Sequence, residues 1–197
     1  MHVSLDDQRS LAVLSDALDV LQRLVDPIDE PQLVLPTPCD EFDVRRLLGH
    51  LIGWQRVVAA CAVGEAPPFA DGSPTYRLRP GRAAADLRHA STALVASLVR
   101  ATVIDLPYRG PTDRSIVLIE QVAEMVIHTW DLARALGEEA VFDERTVAVA
   151  HLGLTELLGE SFAPMGFRAA HVGSGAPADL DGLIARSGRR PVDLNQT

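Results

Sequence analysis

Ser115–Leu136, SIVLIEQVAEMVIHTWDLARAL, is the stretch whose reading decides the fold. It holds no glycine or proline, so nothing in it interrupts a helix. The spacing predicts a helix that starts near Asp113 or Ser115 and is closed by Gly137 at the C′ position. On that helix Ile119, Val122, Ala123, Val126, Ile127, Trp130 and Ala133 cover one broad side. Leu118, Met125, Leu132 and Leu136 cover a flank. Gln121, Glu124, His128 and Asp131 fall in one narrow polar stripe. A helix apolar around most of its circumference is mostly buried. Its stripe then faces either a thin strip of solvent, with Glu124 and His128 an ordinary i,i+4 pair, or an internal cleft.

Glu124 and His128 lie four residues apart, one turn apart on one face. A carboxylate and an imidazole so placed can grip one divalent metal, and a third ligand must come from another helix. His50 is the best candidate, early in a second helical run that Asp43 caps and that continues through Leu51, Trp54 and Val58 to about Val63. A lone histidine there can equally be a hydrogen-bonded core residue. Two histidines and a carboxylate leave at least one metal position open, which is the arrangement of catalytic zinc. Asp131 and Gln121 share the stripe and are candidates to orient a ligand by hydrogen bonding; for Asp131 the competing reading is a salt bridge to Arg134. The metal set is thus His50, Glu124 and His128, and no catalytic residue is assigned.

Working outward, a first helix is expected from about Leu5 to Val25, with Leu11, Leu14, Leu18, Leu21 and Leu24 at three- and four-residue spacing and Pro27 beyond its end. Phe42 at N′ is placed to pack on Leu47 as a hydrophobic staple of the second helix. A long loop, Gly64 to Gly81, precedes a third helix from about Arg82 to Arg100. Val103–Tyr108 reads as an extended connector. A fifth helix runs from about Asp143 to Leu158, and Ala178–Ala185 is a short helix in a Gly- and Pro-rich tail. Long helices with few strand signals imply an all-α bundle with long crossovers, taken as one domain over residues 1–197: bundle about 5–160, tail about 161–197.

Composition narrows the function. The 197 residues are 47% hydrophobic and carry a net charge of −9, which disfavours nucleic acid, because phosphate contacts need a basic surface. All 18 basic residues are arginine, so no lysine is present for Schiff-base or general-base chemistry. Apolar runs such as Val57–Val63 are too short to span a membrane, and no signal peptide is read at the N-terminus. Two cysteines, Cys39 and Cys61, make no disulfide framework, so a reducing cytoplasm is the expected compartment. Cys61 lies on nearly the row of His50 but roughly 16 Å along the helix, too far to share a metal. His2, His89, His151 and His171 have no partner pattern and read as surface or packing residues. Arg77, Arg79 and Arg82 form a basic group near the long loop, either solvated or aimed at an acidic substrate. No G-x-S-x-G occurs, and Gly173-Ser174-Gly175 lacks the context of a phosphate loop.

Two segments resemble a known family. Thr37-Pro38-Cys39-Asp40-Glu41-Phe42-Asp43-Val44-Arg45-Arg46-Leu47-Leu48-Gly49-His50-Leu51 resembles the opening of the second helix in the DinB-like superfamily. More closely, it resembles actinobacterial proteins related to mycothiol-dependent maleylpyruvate isomerase. Glu124 to Ala133 resembles the E-x-x-x-H-x-W-D-L-A segment of the same group, and Gly188-Arg189-Arg190-Pro191 is similar to the tail of uncharacterised members. The resemblance implies a DinB-like four-helix bundle with a divalent metal, usually zinc, held by His50, Glu124 and His128. It also implies mycothiol or another low-molecular-weight thiol as cosubstrate, bound as thiolate and added to a small electrophile. The isomerase carries a further C-terminal domain for which Glu160–Thr197 is too short, so isomerisation of maleylpyruvate itself is not expected. The expected function is a metal-dependent thiol transferase or isomerase-like enzyme acting on a small-molecule substrate. The competing readings are a non-catalytic metal- or ligand-binding bundle and a hydrolase using metal-bound water. A non-haem iron oxygenase shares the ligand types only. A homodimer is compatible by analogy with related bundles.

Overall fold

The computed structural model describes residues 5–69, 76–159 and 177–189. Among these residues six α-helices, one short 3-10 helix (Pro31–Val34) and one hairpin occur: α1 (Leu5–Val25), α2 (Val44–Ala62), α3 (Ala83–Leu98), β1 (Val103–Leu106), β2 (Gly110–Asp113), α4 (Arg114–Leu136), α5 (Glu144–Gly159) and α6 (Leu180–Arg186). His2, His171, Gly173-Ser174-Gly175 and Arg190-Pro191 lie outside the described residues. Among those described, no helix is long and apolar enough to cross a membrane.

The helix periodicities translate directly into packing. Leu14, Leu18 and Leu21 of α1 are buried, as are Leu47, Leu51 and Val58 of α2 and Leu87, Leu94 and Leu98 of α3. A leucine taken fully out of water in this way contributes roughly 1.5–3 kcal/mol. Helix α4 is buried on almost every side and packs against α1, α2 and α5. Its end follows expectation, with Gly137 left-handed at φ 71°. Gly153 brings α5 very close: a Cβ there would stand 1.9 Å from the carbonyl oxygen of Ile119 on α4.

Val103–Tyr108 is not a simple connector. β1 pairs antiparallel with β2, Val103 opposite Asp113 and Leu106 opposite Gly110. Ile104 and Leu106 point inward while Val103 and Asp105 face out. Four residues of alternation are a weak strand signal, and the partner GPTD contains two residues that strands usually avoid. The hairpin packs on α2 and α4 and carries Tyr108 and Arg109 in its turn.

Helix α2 is set at its N-terminus. The Asp43 carboxylate accepts from the Arg46 amide at 2.8 Å. Ahead of it, the Thr37 hydroxyl donates to the Phe42 carbonyl at 2.8 Å, bracing the loop that delivers Phe42. On its outer side, a Cβ at Gly49 would stand 2.5 Å from the Tyr76 carbonyl oxygen, so the chain leaving the long loop crosses α2 one residue before His50.

Candidate metal centre

Each donor is placed by its helix. His50 sits on α2 just past the crossing at Gly49; Glu124 and His128 sit one turn apart in the middle of α4. The stripe of α4 therefore faces an internal cleft and not open solvent: Gln121, His128 and Asp131 are buried, and 13% of the Glu124 side chain is exposed. One ligand atom from each of His50, Glu124 and His128 lies within 4.8 Å of the other two. Glu124 Oε2 is 3.5 Å from His50 Nε2 and 3.3 Å from His128 Nε2. The two imidazole rings are 5.2 Å apart, close to perpendicular, and the Phe42 ring stands 4.9 Å from that of His50. Phe42, expected to act as a staple, thus also forms an apolar wall of this cluster.

Behind the cluster is a second layer. His128 Nδ1 is 2.9 Å from Asp131 Oδ2. Asp131 in turn takes both sides of the Arg189 guanidinium, Nη2 to Oδ2 at 2.6 Å and Nε to Oδ1 at 3.2 Å. The Asp131–Arg134 alternative is not what forms: Arg134 lies over the Trp130 ring, 5.3 Å from its centroid. Gln121 is buried, but its Oε1 accepts no hydrogen bond among the described residues.

The electrostatics favour a cation. Burial alone would raise the Glu124 carboxyl, but the imidazoles of His128 and His50 beside it outweigh burial and hold the group down to about 2. Burial also opposes charge on His50, and there it prevails, pushing this imidazole below its ordinary value. For His128 burial is outweighed by Asp131 and then Glu124, and its value is raised. Asp131 is lowered, because His128 and Arg189 overcome its burial. Among the described residues His50 Nε2 is buried without a hydrogen-bond partner although it stands near a carboxylate. Two imidazole nitrogens and a carboxylate oxygen converging in this way suit a divalent metal of the zinc type.

Other groups border the cleft. Tyr108, from the hairpin turn, is pushed upward by burial first and then by the charges of Glu120 and Glu124. Its ring meets Trp54 of α2 edge to face, centroids 5.1 Å apart. Arg109 pairs with buried Glu120, one turn before Glu124. These residues were missed in the sequence because the hairpin was; the inward–outward alternation of Val103–Leu106 is the signal that could have found it. Arg189 has no such signal, since nothing local says which arginine of Gly188-Arg189-Arg190 turns inward. The remaining candidates fall elsewhere. Cys61 is buried on α2, and Cys39, buried in the loop before α2, lies near enough to Arg189 and Asp131 to feel both charges. Arg79 pairs with Asp86, which also accepts from the Tyr76 hydroxyl, while Arg77 and Arg82 are exposed. His151 pins α6 to α5: its Nε2 meets the Asp179 carbonyl at 3.0 Å and its Nδ1 meets Arg186 at 2.9 Å.

Known proteins are similar to this chain in sequence or in fold. Two uncharacterized proteins of Mycobacterium tuberculosis, from strains CDC 1551 / Oshkosh and ATCC 25618 / H37Rv, are each 25% identical over 146 residues, 74% of this chain and 78% of theirs. The crystal structure of the mycothiol-dependent maleylpyruvate isomerase superposes with a TM-score of 0.57 at 14% identity, over 75% of this chain and 67% of that one. A point mutant of the same enzyme gives the same TM-score at 13% identity. At those identities the likeness is one of fold. The family model of the mycothiol maleylpyruvate isomerase N-terminal domain matches residues 14–133, a span that contains all three donors. As residues 37–51 and 124–133 led one to expect, the chain belongs to that family.

Proposed function

We propose that His50, Glu124 and His128 hold one divalent metal, zinc before others, and that the protein activates a low-molecular-weight thiol of the mycothiol type against a small electrophile. The reaction class is thiol transfer or an isomerase-like addition and release. The observation that carries this reading is the convergence of the three donors from two helices inside a buried cleft. Family membership supports the choice of thiol. When bound, the metal supplies a Lewis acid that keeps a coordinated thiol deprotonated at neutral pH. The chain supplies the rest. Phe42 excludes water from the side of His50, and Asp131 orients His128. Glu124 is partly exposed, and its charge acts on Tyr108, whose ring meets Trp54. That aromatic border suits a small planar electrophile.

We read the scaffold as one DinB-like domain. α1 packs on α3 and α4, and α2 packs on the same two helices, a closed circuit of four that supports a four-helix bundle with α5 outside it. A homodimer is checked by light scattering.

The test begins with elemental analysis of protein purified without a metal-chelating tag, wild type beside His128→Ala. About one zinc per chain in wild type, lost in the variant, is the expected result. Thiol consumption with a panel of small electrophiles follows. Metal without turnover would leave a binding bundle, and thiol-independent ester or amide cleavage would make it a hydrolase. Absence of metal after reconstitution would sink the reading altogether.

A further inference from the structure

We propose that Arg189, carried in from the C-terminal segment, is a positioning residue of this centre: its guanidinium fixes the Asp131 carboxylate, which holds the His128 ring with Nε2 facing Glu124 and His50. The inference rests on the metal reading above and goes beyond the donor set.

The geometry is specific. Arg189 is 6% exposed and reaches 58 residues back along the chain. It engages Asp131 in a two-pronged pair, and its remaining nitrogen Nη1 donates to the Ser187 carbonyl at 3.1 Å. Guanidinium and carboxylate planes matched in this way restrict rotation of the carboxylate as a single contact does not. Asp131 Oδ2 is then shared: Arg189 Nη2 approaches it at 2.6 Å and His128 Nδ1 at 2.9 Å. Arg189 Nη2 also stands 3.3 Å from His128 Nδ1, so the guanidinium touches the imidazole as well as the carboxylate. With Nδ1 turned to Asp131, the opposite ring nitrogen Nε2 faces Glu124 Oε2 at 3.3 Å, the side on which a cation would be held. Arg189 is itself held in register by α6, which His151 and Arg186 clamp to α5 on the far side.

The test uses the full chain in three variants, Arg189→Met, Arg189→Lys and, as a control for loss of an arginine–carboxylate pair on the surface, Arg88→Met. Zinc affinity is measured by competition with a chromophoric chelator. The imidazole nitrogen shifts of His128 are recorded in zinc-loaded and in metal-free protein. Arg189→Met is expected to weaken zinc binding roughly 10- to 100-fold and to move those shifts, while Arg88→Met stays within about threefold of wild type. Arg189→Lys keeps the charge without the fork, guards against a misfolded methionine variant, and should also weaken zinc. Wild-type affinity and wild-type shifts in Arg189→Met would overturn the proposal, as would full affinity in the lysine variant or an equal loss in Arg88→Met. If the wild type takes up no zinc, the metal reading fails, yet the shifts of metal-free protein still decide whether Arg189 positions His128.

Discussion

Glu124 carries a charge at a place where burial opposes one, because two imidazoles hold it. A carboxyl whose value is lower in the folded than in the unfolded chain adds stability that is complete above its ordinary value, here 4.5, and disappears as pH falls toward about 2. The metal-free protein should therefore lose stability between about pH 5 and about pH 2.5, and Glu124→Gln should lose less over that interval by roughly 2 kcal/mol. Urea unfolding at the two pH values checks this; an equal loss in both proteins would refute it. His128 runs the opposite way, with a contribution that is full below its ordinary value of 6.5 and fades as pH rises through its raised folded value. Cys39 offers a separate test at the same scale. Burial pushes its thiol up to about 11 from an ordinary 9.0. That rise leaves about one hundredth of the usual thiolate, so alkylation at neutral pH should be about a hundredfold slower than in the urea-unfolded chain. Mass spectrometry of iodoacetamide-treated protein resolves the two rates.

At the scale of elements, the contact of α4 with α5 depends on the absence of one side chain. A Cβ at Gly153 would collide with backbone, the Ile119 carbonyl, which cannot swing aside as a side chain can. Gly153→Ala should cost about 1–3 kcal/mol, and Gly153→Val more, read as a lowered thermal midpoint. At Gly159 nothing stands within 4 Å, so Gly159→Ala should be neutral or slightly stabilising. Equal behaviour of the two alanine variants would mean that the helices can separate without penalty. The helices themselves were legible in the sequence, since leucine periodicity and Gly137 are local signals read over many residues. So were Glu124 and His128, because four-residue spacing fixes a shared helix face before any tertiary structure is known. His50 was legible only as the best partner available, because packing of α2 against α4 is not written in either helix alone. The hairpin was missed for lack of length, and Arg189 for lack of any local constraint. Its partner is set by where α6 docks, and that depends on His151 and Arg186, which sequence alone presents as ordinary surface residues.

Across the whole molecule the centre draws on three distant parts of the chain: α2, the middle of α4 and the segment after α6. A ligand that bridges such parts binds the folded chain far better than the unfolded one, and mass action converts that difference into global stability. With free zinc at a hundredfold excess over its dissociation constant, the gain is about 2.7 kcal/mol, which for a chain of this size is on the order of 5–10 °C in thermal midpoint. Chelation of the purified protein should lower the midpoint by that amount, and added zinc should restore it. His50→Ala removes a donor from α2 and His128→Ala one from α4, so each should abolish the zinc-dependent shift while leaving the helical signal at low temperature intact. The pairing of these two variants gives the measurement its force. Loss of the shift in only His128→Ala would mean that α4 binds the metal with some other partner, and the bridge between helices would be wrong. Persistence of the shift in both would place the ion on exposed carboxylates, of which a chain with net charge −9 has many. Only joint loss, with both variants still folded, requires one ion held between α2 and α4.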